Sequence, residues 1–143
     1  MIPIKTATVQ EDYAWIWQED EAIDKGRDDW RAEYDAALES CDLARLPLKP
    51  GQKPTIFWLR HPTPLLRRVW AGLWQSKTSA VAARMIAAMA LVRAEHIGPG
   101  MVWEGRDADG YPCVPAVTMD ALDSIPELVD GLALAALAET RPS

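Results

Sequence analysis

Few residues of the kind that carry chemistry occur in this chain, and they stand apart. The two histidines, His61 and His96, and the two cysteines, Cys41 and Cys113, are widely spaced, with no Asp, Glu or Cys at metal-ligand spacing beside them. A zinc site draws on close pairs such as Cys-x-x-Cys, and a disulfide framework on patterned cysteines in an oxidising compartment; neither pattern is present. Cys113 with His96 would make a nucleophile and its base, but no orienting residue or flanking signature accompanies them. Carboxylates come in runs, Glu19-Asp20-Glu21 and Asp28-Asp29. Acid–base catalysis needs desolvated carboxyls whose pKa values are driven apart, whereas such runs form solvated faces. Gly98-Pro99-Gly100 is not followed by a helix opening on Lys-Ser/Thr, so it reads as a helix stop and not a phosphate cradle. The expectation is a chain that is not an enzyme, with no catalytic residues, no cofactor and no metal.

Composition turns attention to surfaces. With 49% hydrophobic and 25% charged residues in 143, the chain has enough apolar content to fold. Its longest apolar run, residues 80–92, is interrupted by Arg84 and falls short of the ~20 residues that span a bilayer. Acidic residues early in the chain argue against a secretory signal, so a cytosolic product is expected. The net charge of −6 conceals three blocks. Residues 1–42 carry twelve acidic and four basic side chains, residues 43–97 one acidic and nine basic, and residues 98–143 eight acidic and two basic. Either the acidic ends fold back over the basic middle, or opposite faces of neighbouring molecules meet, where complementarity sets register and encounter rate. Nucleic acid is not the expected partner, because phosphate binding needs an unopposed basic surface.

The elements follow from periodicity. Tyr13, Trp15 and Trp17 alternate with small or aliphatic residues, as in a short strand; the rival is a helix from Thr8, with Glu11 completing a capping box. Trp30, Tyr34, Leu38 and Cys41 recur at helical spacing over 28–41. Three prolines and a glycine in 46–54 make a connector, after which 55–60, Thr-Ile-Phe-Trp-Leu-Arg, is a strand expected at a sheet edge. Thr63-Pro64 caps a helix to about Gln75, with Leu66, Val69, Trp70 and Leu73 inward. Ser79 caps another to about His96, which is apolar nearly all round: Val81, Met85, Met89 and Val92 share one sector and alanines cover the back. Such a helix lies centrally or offers its alanine face to another subunit. The Asp109-Gly110 turn predicts a hairpin over 101–117, irregular because of Pro112 and Pro115. A short helical turn runs from Thr118 to Leu122. Ser124-Ile125-Pro126-Glu127 reads as a capping box for a last helix with Leu128, Val129, Leu132, Ala136 and Leu137 inward, and 141–143 is a frayed tail.

The fold class is therefore α+β and mainly α: a helical domain over 27–143 with a few short strands, preceded by an acidic, tryptophan-bearing arm or strand over 1–26. Of seven tryptophans, Trp58, Trp70, Trp74 and Trp103 fall on expected core faces. Trp15 and Trp17, set among acidic residues, are candidate contacts, since aromatic anchors dominate interfaces. Trp30, Tyr34, Arg67 and Arg68 complete the expected protein interface. In that role, replacing Trp15 and Trp17 by alanine should weaken association and leave thermal unfolding nearly unchanged.

The stretch Gly51-Gln52-Lys53-Pro54-Thr55-Ile56-Phe57-Trp58-Leu59-Arg60, then Ala90-Leu91-Val92-Arg93, Asp109-Gly110 and Met119-Asp120-Ala121-Leu122-Asp123-Ser124-Ile125-Pro126 resemble small bacteriophage tail-region accessory proteins. The strand followed by a helical body is also similar to tail assembly chaperones. The resemblance covers residues 50–138 and implies a non-enzymatic morphogenesis role as a chaperone or virion component. Its implied partners are tail-tube, tape-measure or neck proteins, with oligomerisation or membership of a larger assembly, in the host cytoplasm during assembly or in the virion. The acidic first third has no counterpart in the chaperones. It leaves open a second reading, an acidic inhibitor that mimics nucleic acid for a host defence nuclease, which requires carboxylates along one continuous face.

Overall fold

A computed structural model describes residues 12–139. Its elements in order are β1 (Tyr13–Trp15), α1 (Trp30–Ser40), a 3₁₀ turn (Leu43–Arg45), β2 (Ile56–Leu59), α2 (Pro64–Ser76), α3 (Ser79–Ala90), β3 (Leu91–Glu95), α4 (Ala116–Leu122) and α5 (Pro126–Ala138). The α+β, mainly helical class is as expected. The Thr8 capping box and the 141–143 tail lie outside the described residues.

The three strands form one antiparallel sheet in the order β1-β2-β3. β2 is thus central, not at an edge: Pro54 and Pro62 lie just beyond it, so neither removes a ladder donor. Tyr13 pairs with Leu59 and Trp15 with Phe57 on one side, and Phe57 pairs with Ala94 on the other. Side-chain alternation sends Phe57 and Leu59 into the main core with Leu66, Trp70, Ile86, Met119 and Leu132. On the opposite face Ile56 joins Ile16, Ile23, Tyr34, Ala37 and Leu46 beneath α1. Within the 12–26 stretch Tyr13–Trp15 are strand β1, and the turns that follow pack on the fold. Ile16 is 0% exposed, and the 22–24 stretch pairs with the proline-rich connector through Asp24 N–H to Pro47 O (2.8 Å) and Lys49 N–H to Ala22 O (2.9 Å).

The chief departure from expectation is the helix from Ser79. It ends at Ala90, without glycine or proline, and the chain turns directly into β3. A helix end orphans four carbonyls, and each one here finds a donor. Ala87 O receives the Leu91 N–H, Ala88 O the Val114 N–H (2.8 Å), Ala90 O the Arg60 N–H (2.9 Å), and Met89 O the Arg60 Nε (2.8 Å). Arg60 thus places a cation at the negative end of α3 and caps it from the end of β2. His96, expected at a helix C-terminus, follows the strand instead with a left-handed φ of 57°.

Other local expectations are refined. Thr63 caps α2 by accepting from Leu66 N–H (3.2 Å), as read. Thr78, not Ser79, precedes α3, and Ile125, not Ser124, precedes α5; Ser124 instead donates to Ala121 O (2.8 Å) in the tight α4–α5 link. The Asp109-Gly110 turn forms, with Gly110 at φ 84° and Asp107 N–H donating to Tyr111 O, but the arms separate after one bridge, Arg106 to Pro112. Val114 is drawn to α3, and Val102 is held by the buried Thr118 hydroxyl, which donates to its carbonyl (2.6 Å) and accepts from its N–H (3.1 Å). The alanine face of α3 is not on offer to another subunit: Ala83, Ala87 and Ala90 are buried, α5 makes the most extensive helix contact with α3, and Val81 and Met85 face outward. Small side chains let the two helices approach closely; of the expected bulky stripe Met89 is buried, as is Ile86 beside it, while Val81 and Met85 lie outside.

Two predictions test this frame. Arg60→Met should destabilise the protein by about 2 kcal/mol, because hydrogen bonds from a charged donor contribute about 1.5–3 kcal/mol and their loss orphans carbonyls at a helix end. Urea unfolding measures it, and a change under 0.5 kcal/mol, about the size of a neutral surface substitution, would refute the capping role. Tyr34 donates its hydroxyl to Ile16 O, and burial, assisted by Asp35, pushes its pKa up to about 12. The folded value lies above the unfolded one, so this stability is complete below pH about 10. It is lost as pH rises through about 12. Tyr34→Phe should flatten that alkaline limb in a pH series of thermal midpoints; an unchanged limb would contradict it.

Candidate protein interface

The charge blocks hardly neutralise one another. Among the described residues, Lys25–Glu19, Arg27–Glu33 and Arg31–Asp35 pair within the first block and Arg93–Glu95 within the second. Only Arg84 reaches across blocks, to Asp120 and Asp123, each at 2.7 Å, tying α3 to α4. These two carboxylates hold the Arg84 pKa above its ordinary value, the Asp123 hydrogen bond chiefly. Arg45, Lys49, Lys53, Arg60, Arg67, Arg68 and Lys77 have no ion-paired carboxylate among the described residues. The acidic ends therefore do not fold back over the basic middle as a whole. Several carboxylates are spent locally: Asp20 accepts from Ala22 and Thr55 N–H, Asp24 from Gly26, Asp42 from Ala44, and Asp107 from Asp109 and Tyr111. That leaves fewer to line one continuous face.

The six expected interface residues are not brought together in one patch. Trp15 lies half-buried on the main core, 6.0 Å from the Phe57 ring and directly over α5 at Gly131. A Cβ at 131 would meet the indole at 3.1 Å, which accounts for glycine inside a helix. That mid-helix glycine was the one sequence signal of the contact. Tyr34 is buried; Trp30 is half-buried beside it, with Lys25 and Arg31 over its ring at 5.3 and 5.9 Å. Arg67 donates to Glu139 O (2.8 Å) at the end of α5, and Arg68 is exposed. Of the four tryptophans expected in the core, Trp70 is buried, Trp58 and Trp103 are half-buried, and Trp74 is 43% exposed, sharing a recess with Leu134 on α5.

Trp17 enters a better-formed feature, an open groove of about 660 Å³. Its floor is apolar, with Phe57, Ile97, Leu122 and Leu128, and its rim carries Glu19, Glu21 and Lys53. Sequence reading missed it because its walls come from four separate stretches. No metal-binding set converges among the described residues. Burial pushes the Cys113 thiol pKa up, away from the thiolate that a nucleophile requires. No helix of the described residues is long and apolar enough to cross a membrane.

The two N-terminal tryptophans should therefore separate on substitution. Trp15→Ala, which empties the space over Gly131, should cost about 2–3 kcal/mol in urea unfolding, toward the low end of buried aromatic truncations. Trp17→Ala should cost under about 1 kcal/mol, as expected for a partly exposed position. Equal losses would place both indoles in the same role.

Comparison with protein-family models, with curated proteins and with solved structures finds no match to this chain.

Proposed function

We propose that this protein is a non-enzymatic morphogenesis factor of the bacteriophage tail region, acting through protein–protein contacts as an assembly chaperone or a virion component. The observation that carries the mode of action is the unpaired basic block. Five of its nine cationic side chains, Arg45, Lys49, Lys53, Arg68 and Lys77, are exposed and have no ion-paired carboxylate among the described residues, although the chain as a whole is acidic. Like charge kept on a surface raises the rate and selectivity of encounter with an oppositely charged partner and adds little to the stability of the monomer. The outward Leu65, Trp74, Val81 and Leu134 add apolar anchors of the sort interfaces bury. The pattern over residues 50–138 supports the tail-region assignment, with tail-tube, tape-measure or neck proteins as partners in the host cytoplasm.

Co-expression with those tail and neck proteins, followed by size-exclusion chromatography, tests the reading. A stable complex with at least one is expected, weakening as salt shortens the screening length from about 8 Å toward 3 Å. The exposed pair Arg45→Glu and Arg68→Glu should slow association about tenfold and leave the thermal midpoint in place. Elution alone in every combination, at low and physiological ionic strength, would refute the proposal.

A further inference from the structure

The outer edge of β3 is unpaired. Among the described residues its ladder runs only to β2, and no backbone hydrogen bond joins it to the 101–106 segment that faces it across a groove of about 980 Å³. That segment is held elsewhere, by Thr118 at Val102 and by Cys113 N–H at Gly105 O (3.0 Å). An exposed edge of N–H and C=O groups is a template for an added strand. The groove walls alternate two kinds of group. Val92, Val102 and Trp103 are apolar, and Arg60, Arg93 and Arg106 are cationic.

The lining holds three arginines and one carboxylate, Glu104. Outside it Glu95 holds Arg93 at 2.9 Å and Asp12 acts electrostatically on Arg60. Arg60 makes its hydrogen bonds to the Met89 carbonyl and to that of Leu91 at the start of β3, and Arg106 to that of Gly110; neither has an ion-paired carboxylate among the described residues. Arg93 stacks over its cross-strand partner Trp58 of β2 at 4.7 Å. The opening at Val92, where the register slips so that Trp58 pairs with Arg93 and Leu59 with Leu91, breaks the regular edge once and leaves 93–95 straight.

From this juxtaposition we infer that the groove receives an extended, acidic segment of a partner protein as a fourth strand on β3. Its backbone pairs with the open edge, its apolar side chains rest on Val92, Val102 and Trp103, and its carboxylates meet Arg106 and, in exchange for Glu95, Arg93. The inference rests on the reading of this chain as a protein-binding factor and specifies the kind of segment it takes.

The probe is a short fluorescent peptide alternating glutamate with valine, titrated into the intact protein by anisotropy. Saturable binding is expected, with added amide protection at 93–95 by hydrogen exchange. Arg93→Glu and Arg106→Glu should each weaken it about tenfold, and Arg106→Glu should leave the thermal midpoint in place. Methylating alternate peptide amides should abolish binding, and a lysine–valine peptide should not bind. Failure of the glutamate peptide to bind, equal binding by the methylated or lysine form, or protection confined to another surface would overturn the inference. So would self-association of the chain through β3. A tail-protein complex that survives intact in the Arg93→Glu and Arg106→Glu variants would sink this groove and leave the broader assembly role standing.

Discussion

The fold depends on closing one helix at a place where nothing local would stop it. The run from Ser79 to Ala94 contains good helix formers and no breaker, so propensity alone would carry it on. Continuing would cost β2 its second neighbour and expose the Phe57 and Leu59 face. Sheet pairing outweighs propensity because Arg60 and Val114 supply donors to carbonyls that would otherwise be orphaned. The Arg60 guanidinium is partly dehydrated there, and burial lowers its pKa from the ordinary range. It nonetheless remains a cation at any physiological pH. One side chain thus couples the end of β2, the end of α3 and the start of β3.

Where signals were local, the sequence was legible. The Thr63-Pro64 start of α2, the Trp30–Tyr34 part of the α1 stripe and the Asp109-Gly110 turn each rest on residues within about a turn of each other, and each formed, whereas Cys41 at the far end of that stripe is the exposed left-handed cap of α1. The central place of β2 and the end of α3 rest on groups about thirty positions apart, and no periodicity reports them. The placing of α3 has the same origin. Its bulky sector is buried at Met89 and open at Val81 and Met85, and the alanine side, which pattern alone leaves free, is buried as well.

The candidate surfaces follow that division. Charge blocks can be counted along the chain, but whether they cancel depends on tertiary placement, and here most of the basic block stays unopposed. The acid-rimmed groove at Trp17 and the arginine-lined groove at β3 draw their walls from distant stretches, so neither could be read beforehand. Both lie beside the sheet, one below the N-terminal segment and the other at the open edge. The molecule therefore presents an acidic concavity and a basic one on a single rigid support.

The notch that Gly131 leaves in α5 has a consequence for how this chain can change over time. The indole of Trp15 fills it so closely that the volumes at 15 and 131 are one quantity shared between two positions. A methyl gained on the helix must be surrendered on the strand. Among descendants of this sequence the pair should therefore exchange bulk in concert, large against glycine or smaller against alanine, leaving a covariation mark between residues more than a hundred apart.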